Sequence, residues 1–446
     1  MKELVVSFAL IVLMLAGGVV SAGDQPQSNA DKFRSMRYGM FIHNVYKLTG
    51  APPGAKYETL DDFANLFDVQ AFASQMESIG VEYVFFTAWH FRMYLLGPNA
   101  ALDKWLPGHT TKRDLVGELA DALAAKGISL AIYAHPNDGH DFPAEEQARV
   151  GYVKFDKADL KPIPVFNNFI NEVYAELAAR YRDKPNVLGF WWDSWAENGR
   201  RIDIKRLRAT VRAQFPEAVI LSNNSDAVID FYCAERNYRQ DKDDIDQLNA
   251  RQVNQTSTFC GGWWRGDAKK PESYKWPGKV PDRMGSLSAE TIFRFTVLNA
   301  GAGAPGGMCW AASPLADGKT WGSDGEPLET LTKVNGYMKP LRETLACVAL
   351  SKNWVLPDNA TFSQAPAYVA TRSLDGTKEY VHVLKPPTGK IVELTKPVEE
   401  FRSARLLANG HPVTVKADTG KVFLTLGAED AWDPLDTVIV LERASQ

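Results

Sequence analysis

Apolar runs in the first half of the chain end one after another on polar residues: His43, His90, His135, Asp193, the pair Asn223-Asn224, and Glu235. A lone histidine at a strand end is commonly a satisfied structural group. Three of them beside two carboxylates is not how a strand interior is filled, because the runs themselves are almost wholly apolar. Asp193 stands out, since it follows Gly189-Phe-Trp-Trp without a break. A carboxylate at the end of a buried strand is costly unless it is paired or used. Two chemistries fit the set. Metal-assisted hydrolysis would take His43, His90, His135 and Asp193 as ligands, but it ordinarily draws on two histidines of one strand or a helical HExxH, and the sequence has neither. Glycoside hydrolysis needs two carboxylates, one as nucleophile and one as general acid and then base. The aromatic content leans the second way. Of 12 Trp, several cluster, as in Trp191-Trp192-Asp193-Ser194-Trp195 and Trp263-Trp264, and indole faces stack on the apolar faces of sugar rings.

The elements that would position these residues read as a repeating β/α pattern. Strands are expected at Tyr38–His43, Tyr83–His90, Ser129–His135, Val187–Asp193, Ala218–Asn223, Ile229–Cys233, Thr258–Trp264 and Gly307–Ala312. Their near-continuous apolar character suits parallel strands buried on both faces. Helices are expected between them, among them one opened by Thr111-Lys-Arg-Asp114 and stopped at Gly127, and others at Asn168–Arg182 and Ile202–Phe215. About eight such units predict an α/β fold, a (β/α)8 TIM-like barrel, with functional side chains at the C-terminal strand ends. An open doubly wound sheet is the competitor, but no glycine-rich phosphate loop follows the first strand. After a helix at Glu326–Cys347 the texture changes to apolar/polar alternation separated by turns such as Asp375-Gly376 and Asn409-Gly410, the mark of a C-terminal antiparallel β-sandwich. The expected division is a signal peptide at 1–22, a barrel at 23–347 and a sandwich at 348–446.

Composition narrows the partners. The formal net charge is −4 and no long Lys/Arg run occurs, so nucleic acid is not expected. Lys2, an apolar run from Leu4 to Val20, and Val20-Ser21-Ala22 read as a signal peptide cleaved near Ala22, which predicts a secreted or periplasmic protein without lasting membrane insertion. A membrane anchor is the alternative reading of that run. The four cysteines (Cys233, Cys260, Cys309, Cys347) lack CxxC spacing, which argues against zinc clusters and leaves disulfides or buried thiols open. Oligomeric state is not legible.

Several segments resemble the α-L-fucosidases of glycoside hydrolase family 29, together spanning nearly the whole mature chain. Tyr38-Gly-Met-Phe-Ile-His43 is similar to the family's F-G-[ML]-F-I-H. Arg113-Asp-Leu-Val-Gly-Glu-Leu119 resembles R-D-L-V-G-E-L, and Leu188-Gly-Phe-Trp-Trp-Asp193 stands where the family has its W-x-D strand. Asp230-Phe-Tyr-Cys-Ala-Glu-Arg236 resembles D-[FY]-x-T-x-E. The resemblance implies Asp193 as nucleophile, Glu235 as acid/base, and His43, His90, Tyr133 and Trp191 as sugar contacts, with a glycan substrate and no metal or other cofactor. Departures fall in the sugar-binding motifs. The family's K-H-H-D-G-F reads Trp89-His-Phe-Arg-Met-Tyr94 here, N-D-R reads Ser222-Asn-Asn224, and G-N-L-L-L-N has become Gly307-Met-Cys-Trp-Ala-Ala312. They leave the catalytic pair intact and bear on the sugar, with α-L-galactose or a substituted, sulfated sugar as alternatives to fucose. Trp89, by stacking, and Arg92, by charge, are the expected compensating contacts. Without them a simple fucoside should be held roughly ten- to a hundredfold less well. A non-catalytic glycan-binding protein is the competing class.

Overall fold

The computed structural model describes residues 27–153, 162–193, 202–223, 228–236, 253–258, 287–321, 326–355 and 367–443. Eight parallel strands pair in chain order: β1 (Tyr38–Ile42), β2 (Tyr83–Trp89), β3 (Ser129–Ala134), β4 (Val187–Trp192), β5 (Val219–Ser222), β6 (Phe231–Arg236), β7 (Val253–Thr258) and β8 (Met308–Ala311). β8 pairs back with β1, so the sheet curls round to meet itself.

Alternation sorts the side chains of each strand. Met40 and Ile42 pack outward against the surrounding helices, whereas Phe41 joins Tyr83, Phe85, Tyr133, Trp191 and Leu221 in a separate interior cluster. Two irregularities break the alternation. In β4 the register with β3 shifts between Leu130 and Ala131, and Gly189 follows with φ 146°. A Cβ there would lie 2.2 Å from the carbonyl oxygen of Val219, so only glycine lets β4 and β5 approach this closely. In β2 the register with β3 shifts between Thr87 and Trp89. That bulge decides which residue faces the site.

The helices lie near their expected places, with boundaries set by caps. Asp114 caps Leu115–Ala124 by accepting from the Gly117 amide, Asp203 caps Ile204–Gln214, and Pro164 opens Pro164–Tyr181. Strand placement differs at two points. β6 extends three residues further than expected, to Arg236, and β7 runs Val253–Thr258 where Thr258–Trp264 was expected. Residues 259–264 lie outside the described residues, as do Cys260, Asn224 and the N-terminal 1–26. Hydrophobicity missed β7 because its buried residues are polar: Asn254 donates to the Tyr83 hydroxyl and to the carbonyls of Pro305 and Gly307. Between β5 and β6 no helix occurs among the described residues.

Beyond the parallel sheet, β9 (Ala349–Leu350), β10 (Tyr368–Arg372), β11 (Lys378–Val383), β13 (Phe401–Leu406) and β16 (Thr437–Arg443) form one antiparallel sheet. β12 (Ile391–Thr395), β14 (Thr414–Asp418) and β15 (Lys421–Thr425) form a second. Val381, Leu406 and Ile439 from the first share one core with Leu394 and Leu424 from the second. β13 and β14 carry no long apolar/polar alternation: β13 buries only Ala404 and Leu406, and β14 is exposed throughout.

Candidate active site

The inward parity of each strand, carried to its C-terminal end, collects the polar residues. Tyr133 pairs with Trp191 and Trp191 with Leu221, so His135, Asp193 and Asn223, each two residues further on, stand level with one another. The β2 bulge brings His90 to the same level, because Trp89 pairs with Ala134. His43 continues β1 beyond Phe41, on which its ring stacks at 4.5 Å, and its amide donates to the Ser313 hydroxyl at 2.7 Å.

Asp193 is the hub. Asn223 donates from Nδ2 to Oδ1 at 2.5 Å, the Tyr133 hydroxyl donates to Oδ2, and His90 Nε2 lies 3.8 Å from that same oxygen. The rings close in around it: His90 stacks on Tyr133 at 5.6 Å, His43 lies 5.9 Å from Tyr133, and His135 meets His90 edge to face at 5.4 Å. Burial is the main influence on all three imidazoles. It lowers His90 to about 4 and His135 to about 3, and drives His43 well below the ordinary histidine value, against the opposing pull of Asp193. Around neutral pH these rings are therefore uncharged, each carrying one donor and one acceptor nitrogen, a chemistry that suits sugar hydroxyls. Among the described residues no group of three or more His, Cys, Asp or Glu is arranged to hold a metal.

Trp89 is not a wall of this site. The bulge turns it outward, where it is fully buried against Tyr174 of the helix Pro164–Tyr181. A regular strand would have put Trp89 inside and His90 outside; the extra residue exchanges them. Trp191 faces inward but lies one layer below Asp193, covered on one face by Tyr133 at 5.1 Å and met edge-on by Phe41. It is the floor that Tyr133 rests on, not an open stacking face. Arg92 is half-buried with φ 51°, its guanidinium carbon 5.2 Å from the ring centre of Phe91. Its amide donates to Asp141 and its carbonyl meets the His109 ring. Among the described residues no contact joins it to Asp193.

Glu235 sits in β6 opposite Thr256, on the same parity as the interior residues Phe231 and Cys233. Its side chain and that of Arg236 lie outside the described residues. The strand start is pinned by Asp230, which accepts from Arg208 at 2.5 Å, from Arg212 at 2.7 Å and from the Ile220 amide at 2.8 Å. Asn223 and His135 were visible as strand ends, His135 only as a possible metal ligand and neither as a sugar contact; register supplies what residue type alone does not. Cys233 is buried, Cys309 is a buried free thiol, and Cys347 is also free.

The alpha-L-fucosidase family model matches residues 46–280, more than half of the chain. The chain belongs to that family. No curated protein matches it by sequence. Among solved structures it is similar to an alpha-L-fucosidase from Bacteroides thetaiotaomicron, at 18% identity and a TM-score of 0.64, over 96% of this chain and 99% of that one. Isoenzyme 1 from Paenibacillus thiaminolyticus matches at 18% identity and 0.64, over 94% and 99%. The Thermotoga maritima alpha-fucosidase matches at 17% identity and 0.63, over 93% and 97%. At such identities these likenesses speak for the fold. As a member of the alpha-L-fucosidase family, the chain is a fucosidase-like glycoside hydrolase with a glycan substrate. No helix among the described residues is long and apolar enough to cross a membrane.

Proposed function

We propose that this protein is an exported, exo-acting, retaining α-L-fucosidase-like enzyme with Asp193 as nucleophile and Glu235 as acid/base. In this reading residues 23–347 form a (β/α)8 TIM-like barrel and 348–446 a β-sandwich. The observation that carries it is the convergence on Asp193: a hydroxyl and an amide hold its two oxygens at the mouth of a rigid sheet. A carboxylate fixed in this way cannot swing, and near-attack geometry is most of what a nucleophile needs. Asp193 attacks the anomeric carbon while the Glu235 carboxyl gives its proton to the departing oxygen and the C–O bond breaks. Glu235, now a carboxylate, takes a proton from water, which attacks the same carbon and releases Asp193. His43, His90 and Tyr133 surround the ring as uncharged partners. A trapped covalent intermediate of the Bacteroides thetaiotaomicron relative supports the two-step course.

Incubation with 2-fluoro-fucosyl fluoride should inactivate the enzyme and add one sugar to the peptide bearing Asp193, read by peptide mass. A label on another carboxylate, or full turnover without any label, would overturn the assignment. Export predicts a mature N-terminus at Gly23, read by mass spectrometry of protein from the native host; a retained Met1 would count against it.

A further inference from the structure

His135 belongs to the same level of the site as Asp193 but has no part in the reaction just described. Its position is unusually determined. The residue precedes Pro136, and a residue before proline is confined to extended backbone. Its carbonyl accepts from Trp89 Nε1 at 3.0 Å, and the preceding carbonyl, of Ala134, accepts from the Tyr174 hydroxyl at 3.1 Å. Its own ring is oriented too: the amide of Asn137 donates to Nδ1 at 3.2 Å. An Nδ1 that accepts leaves the proton of the neutral ring on Nε2. The tautomer is thereby fixed, and the group offered is a donor. Neighbouring strands run about 4.8 Å apart, so a residue level with Asp193 on β3 flanks whatever ring Asp193 attacks.

We propose that His135 is a specificity-determining residue of this site, its Nε2–H donating to one hydroxyl of the bound sugar from a position fixed by Asn137, Trp89 and Pro136. The proposal rests on the glycosidase reading above. It also gives the outward-turned Trp89 a purpose, as a clamp on the histidine in place of a platform for the sugar.

The test compares wild type, His135→Phe and His135→Gln on an aryl α-L-fucoside and on its monodeoxy analogues. His135→Phe should lose roughly ten- to a hundredfold in kcat/KM on the parent sugar, and should show no loss on the one analogue lacking the contacted hydroxyl. His135→Gln, which keeps a donor at similar reach, should recover most of the loss. An equal loss on the parent and every analogue, or no loss at all, would refute the assignment while leaving the fucosidase reading intact. If wild type turns over no α-L-fucoside, that reading fails by itself. The same pattern is then read by calorimetry with L-fucose and its monodeoxy forms, and a uniform response would overturn the proposal there as well.

Discussion

At the N-terminal end of the parallel sheet, Arg37 and Glu82 are buried as deeply as the histidines around Asp193 are at the other end. The two ends satisfy their polar groups differently. Arg37 donates to the carbonyls of Arg34, Met36, Ala304 and Val348, and Glu82 accepts from the amides of Arg37, Tyr38 and Cys347 and from the Cys347 thiol. Nearly every partner is backbone, so each side chain acts as a staple between segments far apart in sequence, including the start of β9. Burial still strains both groups, lowering Arg37 to about 10 and raising Glu82. Asp193 is held instead by side chains, those of Tyr133, Asn223 and His90. A side chain whose polar atoms are all taken up by backbone has none left for a substrate, whereas a hydroxyl or imidazole bonded to another side chain can exchange that partner for one.

The sharpest way to break this contrast is to remove one group from each end. Asp193→Asn should lower kcat at least roughly a thousandfold, because the attacking group itself is lost, and should leave the melting temperature nearly unchanged. Arg37→Ala should do the opposite. Four carbonyls and a buried carboxylate lose their cation, which costs about 3–5 kcal/mol of stability, while the folded molecules keep their turnover. Calorimetry and initial rates on both variants check it. Comparable destabilisation in the two would mean that the ends differ in chemistry but not in role.

Tyr133→Phe comes next in size. It removes one donor to the Asp193 carboxylate and keeps the ring that rests on Trp191. A hydrogen bond to a charged group is worth about 1.5–3 kcal/mol, so kcat should fall roughly ten- to a hundredfold with KM little changed. A change confined to KM would recast Tyr133 as a substrate contact only.

A smaller effect concerns acid. His90 and His135 have folded values lowered by burial to about 4 and about 3, below the ordinary value of 6.5. The unfolded chain therefore binds more protons between that value and those two. The stabilisation is fully present above about pH 6.5 and is lost as pH falls toward 3. The melting temperature should decline over that window, and His135→Gln should flatten the decline. At the backbone-bonded end, Arg37 itself has no titration in this range, but its charge opposes the rise of the buried Glu82 carboxyl. Arg37→Ala should therefore lower stability and, by raising Glu82 further, make the acid decline shallower. An unchanged slope in His135→Gln would show that its imidazole is already solvated.

Much of this was legible in the chain itself. His43, Asp193 and Asn223 close apolar runs because lumen side chains at the mouth have no core to fill, and the motifs around Asp193 and Arg113 indicated the family. What was not legible is register. Nothing in Tyr83–His90 announces a bulge, so Trp89 and His90 both read as site residues although adjacent positions on a strand face opposite ways. β7 was hidden because its buried face is Asn254 and Thr256, hydrogen-bonded and not apolar. Arg92 looked like a charge for an anionic sugar; in the fold its backbone ties the β2 loop to Asp141 and its guanidinium lies by Phe91.

Trp89→Phe makes the smallest change and bears most directly on the exchange of Trp89 for His90. Phenylalanine can keep the apolar contact with Tyr174 but cannot donate to the His135 carbonyl. One neutral hydrogen bond to a buried carbonyl contributes about 1 kcal/mol, so stability should fall by that order. If Trp89 acts only through the backbone of His135, kcat/KM on the parent fucoside should fall a few-fold at most, less than in His135→Phe. The double variant should then be no worse than His135→Phe alone, because the clamp has nothing left to hold. A stacking platform would behave otherwise. Its loss would weaken every sugar alike, would add to the loss from His135→Phe, and in the wild type would give a tryptophan fluorescence change on sugar binding that Trp89→Phe abolishes. Additive losses in the double variant would return Trp89 to the sugar and require the bulge in β2 to lie elsewhere.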